Sequence, residues 1–531
     1  MGEAAAGELW TAAAAAAADR HTMDTLGMPS PVLMERAALC VSAEVEASAR
    51  ALARAHGVDP RRIPVLALCG PGNNGGDGFA VARQLHGRGW DARAVLVTES
   101  RNPAAEAQRT LAAAHGVPCA PRWPTQPEGL TLGVIVDAML GTGSHGAPRG
   151  AIAEAVEWLS TLDPARFVVV AVDLPSGIDV DTGAVAGRAV TAARTVTFQR
   201  SKPGLHLTPA RDHAGAVVVA DIQLVADPDH PPSTLALIEP RAVAAALATL
   251  PEAAHKGRRG HVGVLGGTGG TPGAAILAGA AALRAGAGLA TLGVDTPELR
   301  AMLIERRPEL MIAQGPDAAR VPAASVLVVG PGLTDPSEAA RADIQAMNRE
   351  DARPMVWDAG ALDLLTPGAA AGPRVLTPHP GEAARLLARL EDDDTWTNAR
   401  VQADRRSAAE RLAERTQTIV VLKGAGTLVA SPTSPTSPTS RQTLAVCTTG
   451  GPALATAGSG DVLAGTIAAL LARGLDPWTA ACAGVHIHGL AGDLTAPDGT
   501  IAMDIADALP SALAAARQHL PTPAWPRLRR G

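Results

Sequence analysis

The stretch ATAGSGDVLAG, Ala455–Gly465, decides how this chain is read. Leu463, Ile467, Leu470 and Leu471 recur at the spacing of one helix face, and Gly474 stands where such a helix would stop. The segment reads as a glycine-rich turn that delivers a carboxylate, Asp461, to the start of an apolar helix. Gly458 and Gly460 free successive backbone N–H groups to converge on one point, where the helix N-terminus adds partial positive charge. An aspartate beside such an anion hole takes a proton from a hydroxyl while a phosphate rests on the amides. A turn of this kind calls for a nucleotide phosphate.

Around this turn, apolar strand-like runs alternate with helical stretches. The runs are His261–Leu265, Leu289–Val294, Val326–Val329, Met355–Asp358, Val375–Thr377 and Ile419–Leu422, with helices such as Gly273–Arg284 and Glu382–Leu390 between them. An earlier series repeats the pattern at Val65–Cys69, Ala94–Val97, Val134–Asp137, Val168–Asp173 and Ala216–Ala220, with a helix at Phe79–Leu85. In the earlier series the alternation predicts a parallel sheet with helices on both faces, and the later series predicts a second α/β domain. The segment ADPDHPPSTLA from Ala226 reads as the linker, placing the domains at 1–228 and 238–531. SPTSPTSPTS, Ser431–Ser440, is a low-complexity insert expected to be a solvated loop tip between two strands.

The chain has 531 residues, enough for two or three domains with cores of their own. A hydrophobic content of 47% with 18% charged residues is that of a folded soluble protein. A net charge of −6, no tyrosine and only 3 phenylalanines argue against nucleic acid as a partner. Five scattered cysteines (Cys40, Cys69, Cys119, Cys447 and Cys482) without a CxxC pair predict reduced thiols and a cytoplasmic setting. The alanine run Ala12–Ala18 reads as a helix rather than a signal peptide or membrane anchor, and no apolar run is long enough to span a bilayer. Cys482, His486 and His488 fall inside an apolar helix and read as buried or partnered side chains, not metal ligands.

In open α/β sheets ligands collect at the carboxyl ends of strands. In the second half, Val329-Gly330-Pro331-Gly332 closes one strand. LTPHPGE, Leu376–Glu382, closes another with His379, and LKGAGT, Leu422–Thr427, closes a third with Lys423 and bare amides. Each alone could be a structural turn; together, in this order, they resemble the ribokinase-like superfamily and, within it, the ADP- or ATP-dependent NAD(P)H-hydrate dehydratases. The matching segments start at Lys256 (KGRRGHVGVLGGTGGTPGAAILAGAAALRAGAGLATL), Gly330 (GPGL), Leu376 (LTPHPGEAARLL), Val421 (VLKGAGTLVA) and Ala453 (ALATAGSGDVLAG). The resemblance implies nucleotide contacts at Lys423, Gly424, Ala425, Gly426, Thr427 and Gly460. It implies that Asp461 meets the substrate hydroxyl, in a pocket lined by Ala274, Gly332 and His379. The chain departs from the family at Thr334, where GPGLG is usual, and at Gly360, where DADAL would place a second carboxylate after Asp358.

In the first half, CGPGNNGGDG, Cys69–Gly78, follows a strand, and its glycines are read as leaving the backbone free to fold into an anion-binding nest. Its spacing is neither GxGxxG nor a P-loop. Asn74, Asp137 and Ser176 together offer one full negative charge and neutral oxygens, a set suited to K⁺ rather than Ca²⁺. This half resembles the NAD(P)H-hydrate epimerase (YjeF N-terminal) domain, of Rossmann-like fold. The match runs from GMPSPVLMERAA at Gly27 through NNGGDG, DAMLGTG and DLPSG to TFQRSKPGL at Thr197. It implies substrate contacts at Asn73, Asn74, Gly75, Gly76, Asp77, Gly141, Thr142, Gly143, Ser144, His145, Gly146, Ala147 and Asp173, with K⁺ at Asn74, Asp137 and Ser176. Ala38, for the usual glycine, and the Ser144–Ala147 loop, which lacks the usual Arg-Pro pair, are departures.

Together the resemblances imply repair of hydrated NADH and NADPH. The N-terminal domain would epimerise R and S hydrates, with Asp173 as acid and base. The C-terminal domain would dehydrate the S form with ADP or ATP and Mg²⁺, with Asp461 as base. A homo-oligomer without membrane or nucleic-acid partners is expected. The competing readings are a ribokinase-like kinase for a sugar or vitamin precursor, and a non-catalytic dinucleotide-binding protein.

Overall fold

In the first strand, Val65, Ala67 and Cys69 face one side of a sheet while Leu66 and Leu68 face the other, and all five side chains are buried. Both faces are therefore covered, as a parallel sheet requires. The computed structural model describes all residues except 1–6, 101, 124–130, 232, 248–252, 269, 294–300, 302, 304, 314–319, 367–369, 434–442, 519–527 and 531. One unit comprises Glu8–Ser233 with the strand Leu528–Arg530; the other comprises Gly7 and the described residues from Thr234 to Gln518.

In the first unit the strands are β1 (Val65–Cys69), β2 (Ala92–Leu96), β3 (Cys119–Ala120), β4 (Gly133–Ala138), β5 (Phe167–Val172), β6 (Arg194–Phe198) and β7 (Ala216–Ala220). In the second they are β8 (Leu235–Leu237), β9 (His261–Leu265), β10 (Leu289–Leu292), β11 (Met311–Ile312), β12 (Val326–Val329), β13 (Met355–Trp357), β14 (Arg374–Leu376), β15 (Ile419–Leu422), β16 (Leu428–Ala430) and β17 (Leu444–Val446). Leu528–Arg530 is β18.

The first sheet is parallel throughout, in the order β18-β7-β6-β5-β4-β1-β2-β3. Helices α1 (Ser30–His56) and α2 (Asn73–Gly87) pack on one face, through Leu33, Ala37, Val41 and Val45 and through Phe79 to Leu85. The helix Gly150–Ser160 covers the other face with Ile152, Ala155 and Leu159. The strand order reverses between β1 and β4, so the crevice at their carboxyl ends is where a ligand belongs.

The strands read from Val- and Leu-rich runs fall within a residue or two of those found. β3, β6, β8, β11, β16, β17 and β18 lie outside those runs: β6, RTVTF, because its polar alternation lacks the continuous apolar run of its neighbours, and β8 because it begins at Leu235, inside the segment read as linker. A larger difference concerns Cys69–Gly78, whose glycines were expected to form a loop nest. Instead α2 starts at Asn73, so Gly75, Gly76 and Gly78 are helical and buried. They are glycines for close packing: a Cβ on Gly75 would lie 1.9 Å from Gly70 O, and one on Gly78 2.7 Å from Ala138 Cβ.

The second sheet has the order β11-β10-β9-β12-β13-β14-β15-β16-β17-β8. It is parallel from β11 to β15; β16 runs antiparallel to both β15 and β17, and β8 pairs parallel with β17. Ala430 and Leu444 pair in that antiparallel hairpin, and residues 434–440 of the SPT insert lie outside the described residues. Its order reverses between β9 and β12, where two helices meet: α3 (Pro272–Arg284) and α4 (Ser459–Ala472). A Cβ on Gly465 would lie 2.1 Å from Ala278 O, so these helices touch backbone to backbone and fix where α4 begins.

Candidate functional sites

In the first unit a cavity of about 560 Å³ opens at the β1/β4 crevice. Asn73, Asn74, Asp77, Gly141, Thr142, Gly143, Ser144 and Asp173 line it. Gly75 and Gly76 do not, being turned toward Gly70 and toward Met34 and Ala105. The loop leaves the cavity after Ser144: His145 approaches Asp179 at 3.8 Å, and Ala147 lies against Gly187. Gly146, at φ 76°, makes the bend.

Asp173 follows β5 with a left-handed φ of 63°, a conformation that costs a non-glycine residue of order 1 kcal/mol or more. It is held there by donors that all reach one oxygen. Lys202 Nζ (2.7 Å), Thr197 Oγ1 (2.9 Å) and Phe198 N (3.4 Å) donate to Asp173 Oδ1. The ammonium, 2% exposed, also donates to Phe198 O. Oδ2 takes none of these bonds. Two more carboxyls face the same space. Asp77 is pushed well above the usual carboxylate range by burial and then by the charges of Asp173 and Asp19. Asp19 is raised to about 6 by burial and Asp173, with Lys202 opposing. Lys202 is hydrogen-bonded to Asp173, and it and Arg20 only partly offset the rise at Asp19.

Beneath the cavity, Asp137 at the end of β4 is fully buried. Its Oδ1 accepts from Ser176 Oγ at 2.7 Å and its Oδ2 from Ser176 N at 2.8 Å. Asn74 donates both amide hydrogens, to Leu140 O and Val172 O at 2.8 Å each. Its Oδ1 is turned toward Gly141. Burial raises Asp137 to about 6 although Ser176 and the Met139 amide stabilise its anion.

In the second unit Asp461 sits in the first turn of α4, after Gly458 at φ 89°. The first amides of a helix lack intrahelical acceptors; Ser459 N donates to Thr456 O at 3.3 Å, which leaves the Gly460 N–H beside this carboxylate. A Cβ on Gly460 would lie 3.1 Å from Lys423 Nζ and 3.7 Å from Asp358 Oδ2. Lys423 Nζ donates to Asp358 Oδ1 at 2.6 Å and lies 3.8 Å from Glu382 Oε2. Burial, then Asp358, raises Asp461 to about 7; Lys423 opposes and Glu382 adds. For Lys423, burial favours the neutral amine, but Asp358, Glu382 and Asp461 outweigh it and the ammonium is held.

The other expected positions cluster nearby at strand ends. Gly332 (φ 64°) follows β12, with its Cβ direction 3.0 Å from Ala274 Cβ and 2.4 Å from Thr271 O. His379 caps the helix Pro380–Glu391. Its Nδ1 accepts from Gly381 N at 3.0 Å and Glu382 N at 3.4 Å, leaving Nε2 to carry the proton toward Glu382 Oε1 at 3.4 Å. Gly424 (φ 133°) and Gly426 (φ 67°) shape the turn after β15, with Thr427 Oγ1 donating to Gly424 O. Buried Arg405 braces it, its Nη2 donating to Leu422 O and Lys423 O at 3.2 Å each.

The two departures have structural reasons. Thr334 Oγ1 donates to Thr268 O and Thr334 N to Thr268 Oγ1, which ties the GPGL turn to the loop before α3. A Cβ on Gly360 would lie 2.0 Å from Leu333 O, so a side chain there has no room. Four further site residues went unassigned by sequence reasoning: Asp19, Lys202, Asp358 and Glu382. Lys202 lay inside TFQRSKPGL, and Asp358 and Glu382 inside quoted strand ends; an acid at the end of an alanine helix was the only signal for Asp19.

A family model described as NAD(P)H-hydrate dehydratase matches residues 262–512, and one described as YjeF-related protein N-terminus matches residues 30–204. The chain is 36% identical over 492 residues to the bifunctional NAD(P)H-hydrate repair enzyme of Escherichia coli strain K12, covering 90% of this chain and 88% of that one. It is 35% identical over 542 residues to the enzyme of the same name from Moorella thermoacetica, covering 95% and 96%. A solved ADP/ATP-dependent NAD(P)H-hydrate dehydratase from Bacillus subtilis, co-crystallised with ATP and Mg²⁺, is 28% identical. It covers 53% of this chain and 98% of its own, with a TM-score of 0.45. On these sequence relationships the chain belongs to the family of bifunctional NAD(P)H-hydrate repair enzymes.

Proposed function

We propose that the first unit interconverts the R and S hydrates of NADH and NADPH, and that the second removes water from the S form at the expense of ADP or ATP. The observation that carries the second activity is Asp461: a carboxyl raised to about 7, in the first turn of a helix, beside the Gly460 amide. Hydroxide leaves poorly, whereas phosphate leaves readily. Asp461 takes the hydroxyl proton as the phosphoryl group arrives, and the Gly460 amide with the helix N-terminus stabilises charge on that group. The ring nitrogen's lone pair then expels phosphate to leave an iminium, and loss of the C5 proton to water restores the C5–C6 double bond.

The turn Gly424–Thr427 and the Gly460 amide hold the nucleotide, while Ala274, Gly332 and His379 line the hydrate pocket. Mg²⁺ would travel on the nucleotide phosphates: among the described residues no group of three or more His, Cys, Asp and Glu is arranged to hold a metal. Its charge offsets that of the phosphates.

In the first unit Asp173 lines the cavity, and it exchanges a proton with the C6 oxygen through Oδ2, the oxygen not taken by Lys202, Thr197 and Phe198. Ionisation to a planar iminium and return of water on the other face inverts the centre. Asn74, Asp137 and Ser176 fit K⁺. Asp137 is a fully buried carboxyl whose bonded partners are neutral donors, and the Asn74 amide orientation leaves Oδ1 free. K⁺ there would neutralise Asp137 and fix the loops carrying Leu140 and Ser176. Free thiols at all five cysteines fit a cytoplasmic setting. Among the described residues no helix is long and apolar enough to cross a membrane. A homo-oligomer remains part of this reading.

A mixture of R and S hydrates incubated with ADP or ATP tests both activities. Complete recovery of dihydronicotinamide absorbance is expected. A halt at the S fraction removes the epimerase, and a stable phosphorylated product favours the small-molecule kinase.

A further inference from the structure

Phosphoryl transfer by Asp461 makes no use of Asp358, yet Asp358 is 2% exposed and spends Oδ1 on the Lys423 ammonium at 2.6 Å. Lys423 Nζ in turn lies close enough to the Gly460 backbone that a methyl there would touch it, one residue from Asp461. An ammonium so placed can serve Asp461 as well as Asp358 and, at 3.8 Å, Glu382. Paired with Asp461, it would lock that group as a stable anion and weaken it as a base. Paired with Asp358, it leaves Asp461 able to bind a proton.

We propose that Asp358 and Lys423 are positioning residues of the dehydration step, Asp358 drawing the Lys423 ammonium away from Asp461 so that Asp461 remains basic enough to take the hydroxyl proton. The inference rests on reading Asp461 as the base, and it gives Lys423 a part other than gripping a phosphate. The charged and titratable groups around Asp461 come from several elements. Asp358 follows β13. Glu382, with His379 against it, opens the helix after β14, and Lys423 follows β15. His488, on the helix Pro477–Asp493 behind α4, bonds the Ser459 backbone, and burial lowers it to about 4, so it stays neutral. Asp358 and Glu382 push Asp461 upward and Lys423 pulls it down. The two pair members therefore act on Asp461 with opposite signs.

That opposition supplies the test. The Asp461 carboxyl is titrated by ¹³C NMR in the nucleotide-free full-length protein, its signal assigned by its loss in Asp461→Asn. Asp358→Asn removes one anion and releases Lys423, so the Asp461 midpoint should fall by about one pH unit or more. Lys423→Met removes the cation, and the midpoint should rise by a similar amount. The acidic limb of ATP-dependent dehydration of the S hydrate should move with the midpoint wherever activity survives. A merely structural role would lower rates without moving the two midpoints apart. Midpoints that stay at the wild-type value, or shift in the same direction, overturn the proposal. Should one variant fail to fold, the sign of the other decides. Dehydration by Asp461→Asn at the wild-type rate would instead remove the reading of Asp461 as the base.

Discussion

Lys202 Nζ sits 2.7 Å from Asp173 Oδ1, and the same ammonium reaches Thr197 Oγ1 and Phe198 O. It offsets the buried charge of an aspartate held in a left-handed backbone conformation and bonds only Oδ1 of the two carboxyl oxygens. Lys202→Met removes the cation and leaves the Asp173 charge with only the Thr197 and Phe198 donors, which costs at most the roughly 3–5 kcal/mol of breaking a buried pair. Hydrogen exchange in peptides from residues 8–233 should rise accordingly. Epimer exchange should slow, while dehydration of pure S hydrate proceeds as in wild type.

Asp461→Asn keeps the shape of the turn and removes the base. Dehydration should fall roughly 100-fold to 10,000-fold, the range for loss of a general base, with epimer exchange spared. In the wild type the deprotonated form is the active one. With Asp461 raised from 3.8 to about 7, the dehydration rate should drop as pH falls through about 7. A rate that is flat down to pH 5 would contradict this assignment.

Asp137 connects potassium to stability. Its folded value of about 6 lies above the unfolded 3.8, so its contribution is fully present below 3.8 and lost as pH rises through 6. Without K⁺ the first unit should lose of the order of 2–3 kcal/mol between pH 4 and pH 7 from this group. Potassium should restore stability at pH 7 where choline does not, and Asp137→Asn should abolish the difference. Thermal unfolding in the two salts measures it.

Gly360→Asp would install the second carboxylate usual in the family, but its Cβ would meet Leu333 O at 2.0 Å. Overpacking of this kind costs about 1–3 kcal/mol, and the melting temperature of the second unit should drop. No gain in dehydration is expected, because Asp461 and the Gly460 amide are already in place.

The sheets were legible because strands such as VLVV and IVVL are buried on both faces and need uninterrupted apolar runs. β6 escaped notice because Thr195 and Thr197 alternate with apolar residues, yet Thr197 is one of the groups holding Asp173. The glycines of NNGGDG signalled closeness, but from sequence alone closeness to a ligand and closeness to the Gly70 backbone look the same. Asp461 stood out through its own turn. Lys202, Asp358 and Asp19 owe their roles to partners far along the chain, and no local spacing records such partnerships.

The central claim is that the substrate's own hydroxyl oxygen is phosphorylated before it departs. S hydrate carrying ¹⁸O at C6, converted with unlabelled ATP, tests it by mass spectrometry of the products. Label in the released inorganic phosphate is the predicted result; label in water, with none in phosphate, would contradict it.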